Sequence, residues 1–202
     1  MKNKIVVGFD QSYTDTGISV VFNGELKAST HCYLDKYRLN TNKRRELIRK
    51  ANDVFTMVQK MQKKYDAEVL VLVERVRLRS QGFISKDVIV AAGSLIALIV
   101  DVAYDYDYRV WSVDTRSWKA QVIGTASPEA NDYGIDPKKW PTIKWCLAKG
   151  YDKYIVDFDV GKRTKGIITD GDTKYTYNDN VADSIGIAFY GFAANQKLEA
   201  EY

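Results

Sequence analysis

The sequence predicts an α/β fold. It is built on a mixed sheet of five strands, the first three antiparallel, with helices on both faces. Three observations predict it. The chain opens on strand-like runs in close succession, IVVGF, GISVVF and ELKASTHCYL, and Asn23-Gly24 between the last two is a strong hairpin signal. A helical pattern follows, and then AEVLVLVE, whose run VLVLV is what a central strand covered on both faces requires. A second, apolar helical pattern leads to YRVWSV, the fifth strand.

The elements follow in order. Residues 4–9 are apolar and β-branched, and the strand ends in Asp10. GISVVF occupies 17–22, and the hairpin turn carries the chain into the third strand. Residues 41–64 place Leu47, Ile48, Ala51, Val54, Phe55, Val58 and Met61 at helical spacing, with a basic outer face. The strand AEVLVLVE ends in Glu74. Residues 84–104 form an apolar helix, 108–113 a strand, and DTRSWKAQVIG a short helix. PKKWPTIKWCLAKG is helical from Trp140 or Pro141. Residues 151–177, rich in Tyr, Lys, Gly and Asp, read as a β-hairpin or an insertion. NDNVADSIGIAFYGFAANQKL closes the chain as a helix with Val181, Ile185, Ala188 and Phe189 on its apolar face. No linker divides the chain, so the expectation is one domain over 1–202.

Composition narrows the chemistry. Of 202 residues, 46% are apolar, enough for a core without staples. There is no apolar run of about 18 residues to span a membrane. MKNKIVVGFD has no signal-peptide pattern. The expectation is the cytoplasm of a bacterial or phage-infected cell, with an organelle left open. Cys32 and Cys146 form no motif and read as ordinary thiols. His31 is the single histidine and reads as a partly buried strand residue, which argues against Ser–His catalysis and His-based zinc sites. The net charge of +4 is mild. The basic residues are clustered: Lys43, Arg44, Arg45, Arg49 and Lys50; Arg75, Arg77 and Arg79; Lys138 and Lys139; Lys162, Arg163 and Lys165. Each cluster is either a solvated face or part of a polyanion-binding surface.

The acids carry the sharper signal. Asp10 and Glu74 both end apolar strands, and Asp179 and Asp183 stand one helical turn apart. If the two strands are neighbours, their terminal carboxylates approach, and like charges that close repel unless a cation intervenes. Hard divalent cations take oxygen ligands, and a pair of them roughly 4 Å apart activates water and stabilises the leaving oxygen of a phosphodiester. Structural readings stand beside this one. Asp10 can cap a turn by accepting from Ser12 or Tyr13, Glu74 can pair with Arg75 or Arg77, and Asp179 or Asn180 can be the N-cap of the last helix.

GFDQSYTDTGIS resembles the first motif of the RNase H-like superfamily, and in particular of RuvC-type Holliday-junction resolvases. VLVERVRLRSQG resembles their second motif, VDTRSWKAQVIG the segment before their lysine-bearing region, and NDNVADSIGIAFYG the last motif. The resemblance covers essentially the whole chain in order. It implies an RNase H-like fold and a structure-selective endonuclease of DNA recombination and repair. Such an enzyme resolves four-way junctions and related branched DNA, leaving 5′-phosphate and 3′-hydroxyl ends. It implies Mg²⁺, with Mn²⁺ substituting, as two ions per site. It implies Asp10, Glu74 and Asp183 as metal-binding catalytic carboxylates. For the fourth, bacterial members place the acid three residues before the last one, where Asn180 stands here. Mitochondrial and poxvirus members resemble D-D-x-x-D, which favours Asp179, with Asn180 a secondary ligand. Lys119 falls at a DNA-contacting lysine of the family, and Lys138 or Lys139 supplies a second across an insertion at 126–137. Arg75, Arg77 and Arg79 would bind flanking phosphates, and Leu78 or Phe83 would be the wedge pressed into the junction centre. The family implies a homodimer, for which helix 84–104 is a candidate surface. Trp111, Trp118, Trp140 and Trp145 read as core or semi-core residues. The competing readings are another RNase H-like nuclease acting on RNA–DNA hybrids or single strands, a catalytically inactive junction-binding protein, and an actin-like sugar-kinase relative. The chain is short for the last.

Overall fold

The computed structural model describes residues 2–12, 14–33, 41–75, 86–125, 127–158 and 166–198, with backbone alone at 41–43, 86–89, 91 and 195–198. In chain order the elements are β1 (Asn3–Asp10), β2 (Asp15–Phe22), β3 (Glu25–Tyr33), α1 (Thr41–Tyr65), β4 (Ala67–Glu74), α2 (Lys86–Tyr104), β5 (Arg109–Val113) and α3 (Thr115–Trp118). The last runs on as a π-helical turn, Lys119–Ile123. Then come α4 (Trp140–Ala148), α5 (Asp152–Ile155), β6 (Val156–Asp157), β7 (Ile168–Asp170), β8 (Thr173–Tyr177) and α6 (Asp179–Leu198).

The five-stranded sheet runs β3-β2-β1-β4-β5. β1–β2 and β2–β3 are antiparallel, while β1–β4 and β4–β5 are parallel. β1 and β4 sit at its centre, which is why their side chains are apolar on both faces. Alternation sorts those side chains. Ile5, Val7 and Phe9 of β1 join Val69, Val71 and Val73 of β4 on the face covered by α1 and α2, against Leu47, Phe55, Val58 and Ile99. Val6, Leu70 and Leu72 face the other way, against Trp118, Ile187 and Ala188. Each fully buried side chain of this kind contributes about 1.5–3 kcal/mol. A third cluster joins α4 to α6 through Trp140, Ile143, Cys146, Val181 and Ile185.

The hairpin expected within 151–177 is present as β7–β8, and β6 pairs with β8 as well, giving a second, three-stranded sheet. Trp118 and Trp140 are buried, and Trp111 and Trp145 are partly buried against the core clusters. Cys32 and Cys146 are buried free thiols. Among the described residues no helix is long and apolar enough to cross a membrane.

Candidate active site

The alternation that builds the core also aims the acids. Val6, Gly8 and Asp10 share one face of β1, and Leu70, Leu72 and Glu74 share the corresponding face of β4. Phe9 pairs with Val73 in the parallel register, so Asp10 and Glu74 leave the sheet side by side at its carboxyl edge.

α6 delivers the other two acids to that edge, and glycines let it come close. A Cβ on Gly17 would stand 2.1 Å from the Asn180 carbonyl oxygen, and one on Gly8 2.5 Å from that of Ser184. Both clashes are with backbone, so neither can be relieved by a rotamer change. The glycine of T-G-I-S is therefore a condition for seating the start of α6 on β2. Ser184 Oγ lies 2.6 Å from Ser19 Oγ and donates to the Val181 carbonyl, pinning the same turn.

The cap of α6 corrects the sequence reading. Neither Asp179 nor Asn180 is the N-cap; Asn178 is, its Oδ1 accepting from Val181 N at 3.0 Å. Asn178 Nδ2 donates to Asp15 Oδ2 at 2.6 Å, and Asp15 Oδ1 lies 2.9 Å from His31 Nδ1. A residue outside the helix thus does the capping, and the Asp179 carboxylate is left to the cluster. The alternative for Glu74 is also replaced. Arg75 turns to Ser112 Oγ, while Glu74 Oε1 accepts from Trp118 Nε1 at 3.1 Å. The turn after β1 is stitched by Thr16, whose Oγ1 accepts from the Ser12 amide.

Three residues that composition did not flag hold Glu74 and its neighbours. Gln11 Oε1 accepts from the Glu74 amide at 3.1 Å, and Gln11 Nε2 donates to the Glu74 carbonyl. The side chain thereby extends the β1–β4 ladder past its last backbone pair. Trp118 is fully buried, and a Cβ on Gly186 would stand 2.4 Å from its ring, so that glycine admits the indole. Asp114 caps α3 by accepting from the Arg116 amide at 2.9 Å. The π-helical turn that follows presents Lys119, and such turns recur at functional sites.

The electrostatics follow from four acids at one edge of the sheet, Asp10 buried and the other three partly so. Burial, then Asp183, Glu74 and Asp179, push Asp10 well above the usual carboxylate range, with Lys119 opposing them. Burial pushes Asp183 up to about 6, Lys119 lowers it, Glu74 raises it, Thr142 lowers it and Asp179 raises it. Neither Asp183 Oδ1 nor Thr142 Oγ1 completes a hydrogen bond of ordinary geometry among the described residues, although both are buried. Lys119 Nζ lies 3.2 Å from Asp183 Oδ2, and Lys139 Nζ donates to Asp179 Oδ2. With all four acids ionised, as a bound cation would make them, two ammonium groups against four carboxylates leave two negative charges, the complement of one divalent cation.

The donor set is all oxygen, which suits Mg²⁺ or Mn²⁺, and Asp183 Oδ1 is a buried acceptor for which the Thr142 hydroxyl is the weak partner. As the side chains stand, no three acidic, histidine or cysteine groups among the described residues form a closed metal-binding set. Lysines hold one oxygen of Asp179 and one of Asp183, so closing the set means exchanging those contacts.

The remaining sequence candidates divide. Asn180 lays its main chain against Gly17. Arg75 is exposed at the end of β4, and Lys138 is exposed with its amide bonded to Asp136 Oδ1. Arg77, Arg79, Leu78 and Phe83, as well as Lys162, Arg163 and Lys165, lie outside the described residues.

No protein-family model and no curated protein matches the sequence. Solved structures do. Thermus thermophilus RuvC in complex with a Holliday junction substrate superposes with a TM-score of 0.55 at 12% identity, covering 96% of each chain. The yeast mitochondrial Holliday junction resolvase Ydc2 superposes with a TM-score of 0.51 at 13% identity, covering 96% of this chain and 80% of that one. At such identities the likeness is one of fold.

Proposed function

We propose, on the premise that this chain has the RNase H-like fold of RuvC-type resolvases, that it is a structure-selective endonuclease. It would hydrolyse phosphodiester bonds of four-way junctions and related branched DNA. The supporting observation is the convergence of Asp10, Glu74, Asp179 and Asp183 from three separate elements on one edge of the sheet, with two lysines among them. Asp10, Glu74, Asp179 and Asp183 would hold Mg²⁺, with Mn²⁺ substituting. A single divalent ion neutralises the excess charge, and a second requires the lysines to let go. A divalent ion bound there supplies Lewis acidity to water and to the leaving oxygen.

The chain's own groups do the rest. Trp118 and Gln11 fix Glu74 so that its carboxylate does not swing out of the cluster. Lys119, buried beside Asp183, opposes the upward push that burial gives that acid. Once released from the carboxylates, Lys119 and Lys139 are placed to pair with backbone phosphates. Arg75 and Lys138 extend that surface, giving an affinity that falls with salt. Such contacts position a duplex without reading its sequence, so selectivity comes from branch geometry. A homodimer with one such site per subunit would match the two-fold symmetry of paired cuts.

The test is a panel of substrates with Mg²⁺: a synthetic four-way junction, the matching linear duplex and an RNA–DNA hybrid. Symmetric cuts in the junction alone are expected. Cutting of the hybrid in preference to the junction would transfer the protein to a different nuclease class.

A further inference from the structure

Beside the carboxylate cluster, and sharing Asp179 with it, lies a cleft of about 470 Å³, lined by Ile135, Pro137, Lys139, Ile143, Tyr177 and Asp179 among others. Its size falls within the roughly 300–1,000 Å³ of small-ligand sites. The acid cluster does not account for it, and its walls come from the segment after the π-helical turn and from the small second sheet.

Those walls are preformed. Asn131 organises the first: its Oδ1 accepts from the Tyr133 and Ile135 amides at 3.0 and 3.1 Å, and its Nδ2 donates to the Ile135 carbonyl at 2.9 Å. The Glu129 amide closes the base of this loop on the Pro137 carbonyl at 2.8 Å, and Lys144 ties Glu129 to α4. On the second wall, Thr176 Oγ1 donates to the Gly166 carbonyl at 2.8 Å. Gly134 and Gly166, both at positive φ, meet where the walls touch.

The lining is mixed. Ile135, Pro137, Ile143 and Tyr177 offer apolar contact, Asp136 and Thr176 stand among them as polar groups for a base edge, and Lys139 and Asp179 stand on the side shared with the acids. We propose that the cleft takes a single unstacked nucleobase of the strand being cut, the one next to the scissile phosphate. Its sugar-phosphate would pass Lys139 toward the carboxylates. A base at a branch point is already partly unstacked, which lowers the cost of lifting it out. Because the walls are built before the guest arrives, little ordering accompanies binding.

This subsite rests on the nuclease reading, and the experiment separates the two. Four-way junctions carrying one base-less residue, moved position by position past the cut, are compared in the wild type, Ile135→Trp and Tyr177→Ala. Ile135→Trp fills the cleft from a residue whose backbone Asn131 already fixes. In the wild type, loss of the base at one flanking position slows cutting roughly tenfold, the scale of one lost base–aromatic contact. Ile135→Trp cuts the intact junction at that slower rate and shows no further loss at that position; Tyr177→Ala shows the same pattern in weaker form. A wild-type enzyme that cuts every base-less junction equally well overturns the subsite and leaves the nuclease reading standing. The same holds if the loss persists in full in Ile135→Trp. A wild type that cuts no junction overturns both.

Discussion

Two lysine–aspartate pairs flank the first turns of α6, and they differ in one respect. Lys119 and Asp183 are both nearly enclosed, at 11% and 16% side-chain exposure, whereas Lys139 is 46% exposed beside Asp179. The enclosed pair cannot be opened without leaving a charge in poorly hydrated surroundings. Asp179 is as enclosed as Asp183, at 17%, so the difference lies in the lysine: Lys139 can turn to water, which makes this pair the easier to exchange. One end of the cluster therefore opens only when a cation takes the lysine's place, and the other is a readily exchanged contact where a cation and a phosphate can enter first.

The largest effect comes from removing the charge both pairs surround. Asp10→Asn is expected to reduce junction cutting on the order of 10³-fold, since a ligand and its charge are lost together, while junction binding survives. The same substitution should stabilise the metal-free protein at pH 7.5, because it removes a buried carboxylate repelled by three others. The sign is checkable: groups whose folded pKa is raised make the native state bind extra protons. Their stabilising contribution is full below about pH 4 and is lost as pH rises through about 6 for Asp183 and through the raised pKa of Asp10. Thermal unfolding without metal should show the wild type weakening over that range and Asp10→Asn weakening less.

Lys119→Ala breaks the enclosed pair and should cost about 3 kcal/mol in urea unfolding, with cutting reduced as well. Gln11→Ala removes the two bonds to the Glu74 backbone. It should lower kcat about tenfold with a smaller change in KM, since Glu74 is mispositioned rather than lost. A stability loss with unchanged kcat would make Gln11 purely structural. Lys139→Ala opens the exposed pair and should lower activity only two- to fivefold, with the salt dependence of junction binding becoming shallower by about one phosphate contact. Equal effects from Lys119→Ala and Lys139→Ala on stability would erase the distinction between the pairs.

Much of this was legible in the residues. VLVLV and IVVGF announce central strands because only burial on both faces tolerates such runs, and an acid ending each is visible by contrast. The spacing of Asp179 and Asp183 places both on one helix face. The partners were not legible. Gln11 reads as an ordinary turn residue until β4 is known to end beside it, and Trp118 reads as core until its Nε1 is seen to meet Glu74. The cap of α6, for which the sequence offers Asp179 or Asn180 as a structural alternative, falls on neither, because Asn178, Asp179 and Asn180 are all competent cap residues. What decides between them is the bond from Asn178 to Asp15, a residue 163 positions away in the chain. Gly8 and Gly17 mark a helix approach that no local pattern reveals.

The convergence of the four acids on a cation is tested most directly by titrating Mg²⁺ into the metal-free protein at pH 7.5 and following thermal unfolding. The wild-type midpoint should climb with Mg²⁺ as a ligand bound only to the native state requires, and Asp10→Asn, starting higher, should stay flat. A wild-type midpoint indifferent to Mg²⁺, or an equal climb in Asp10→Asn, would contradict it.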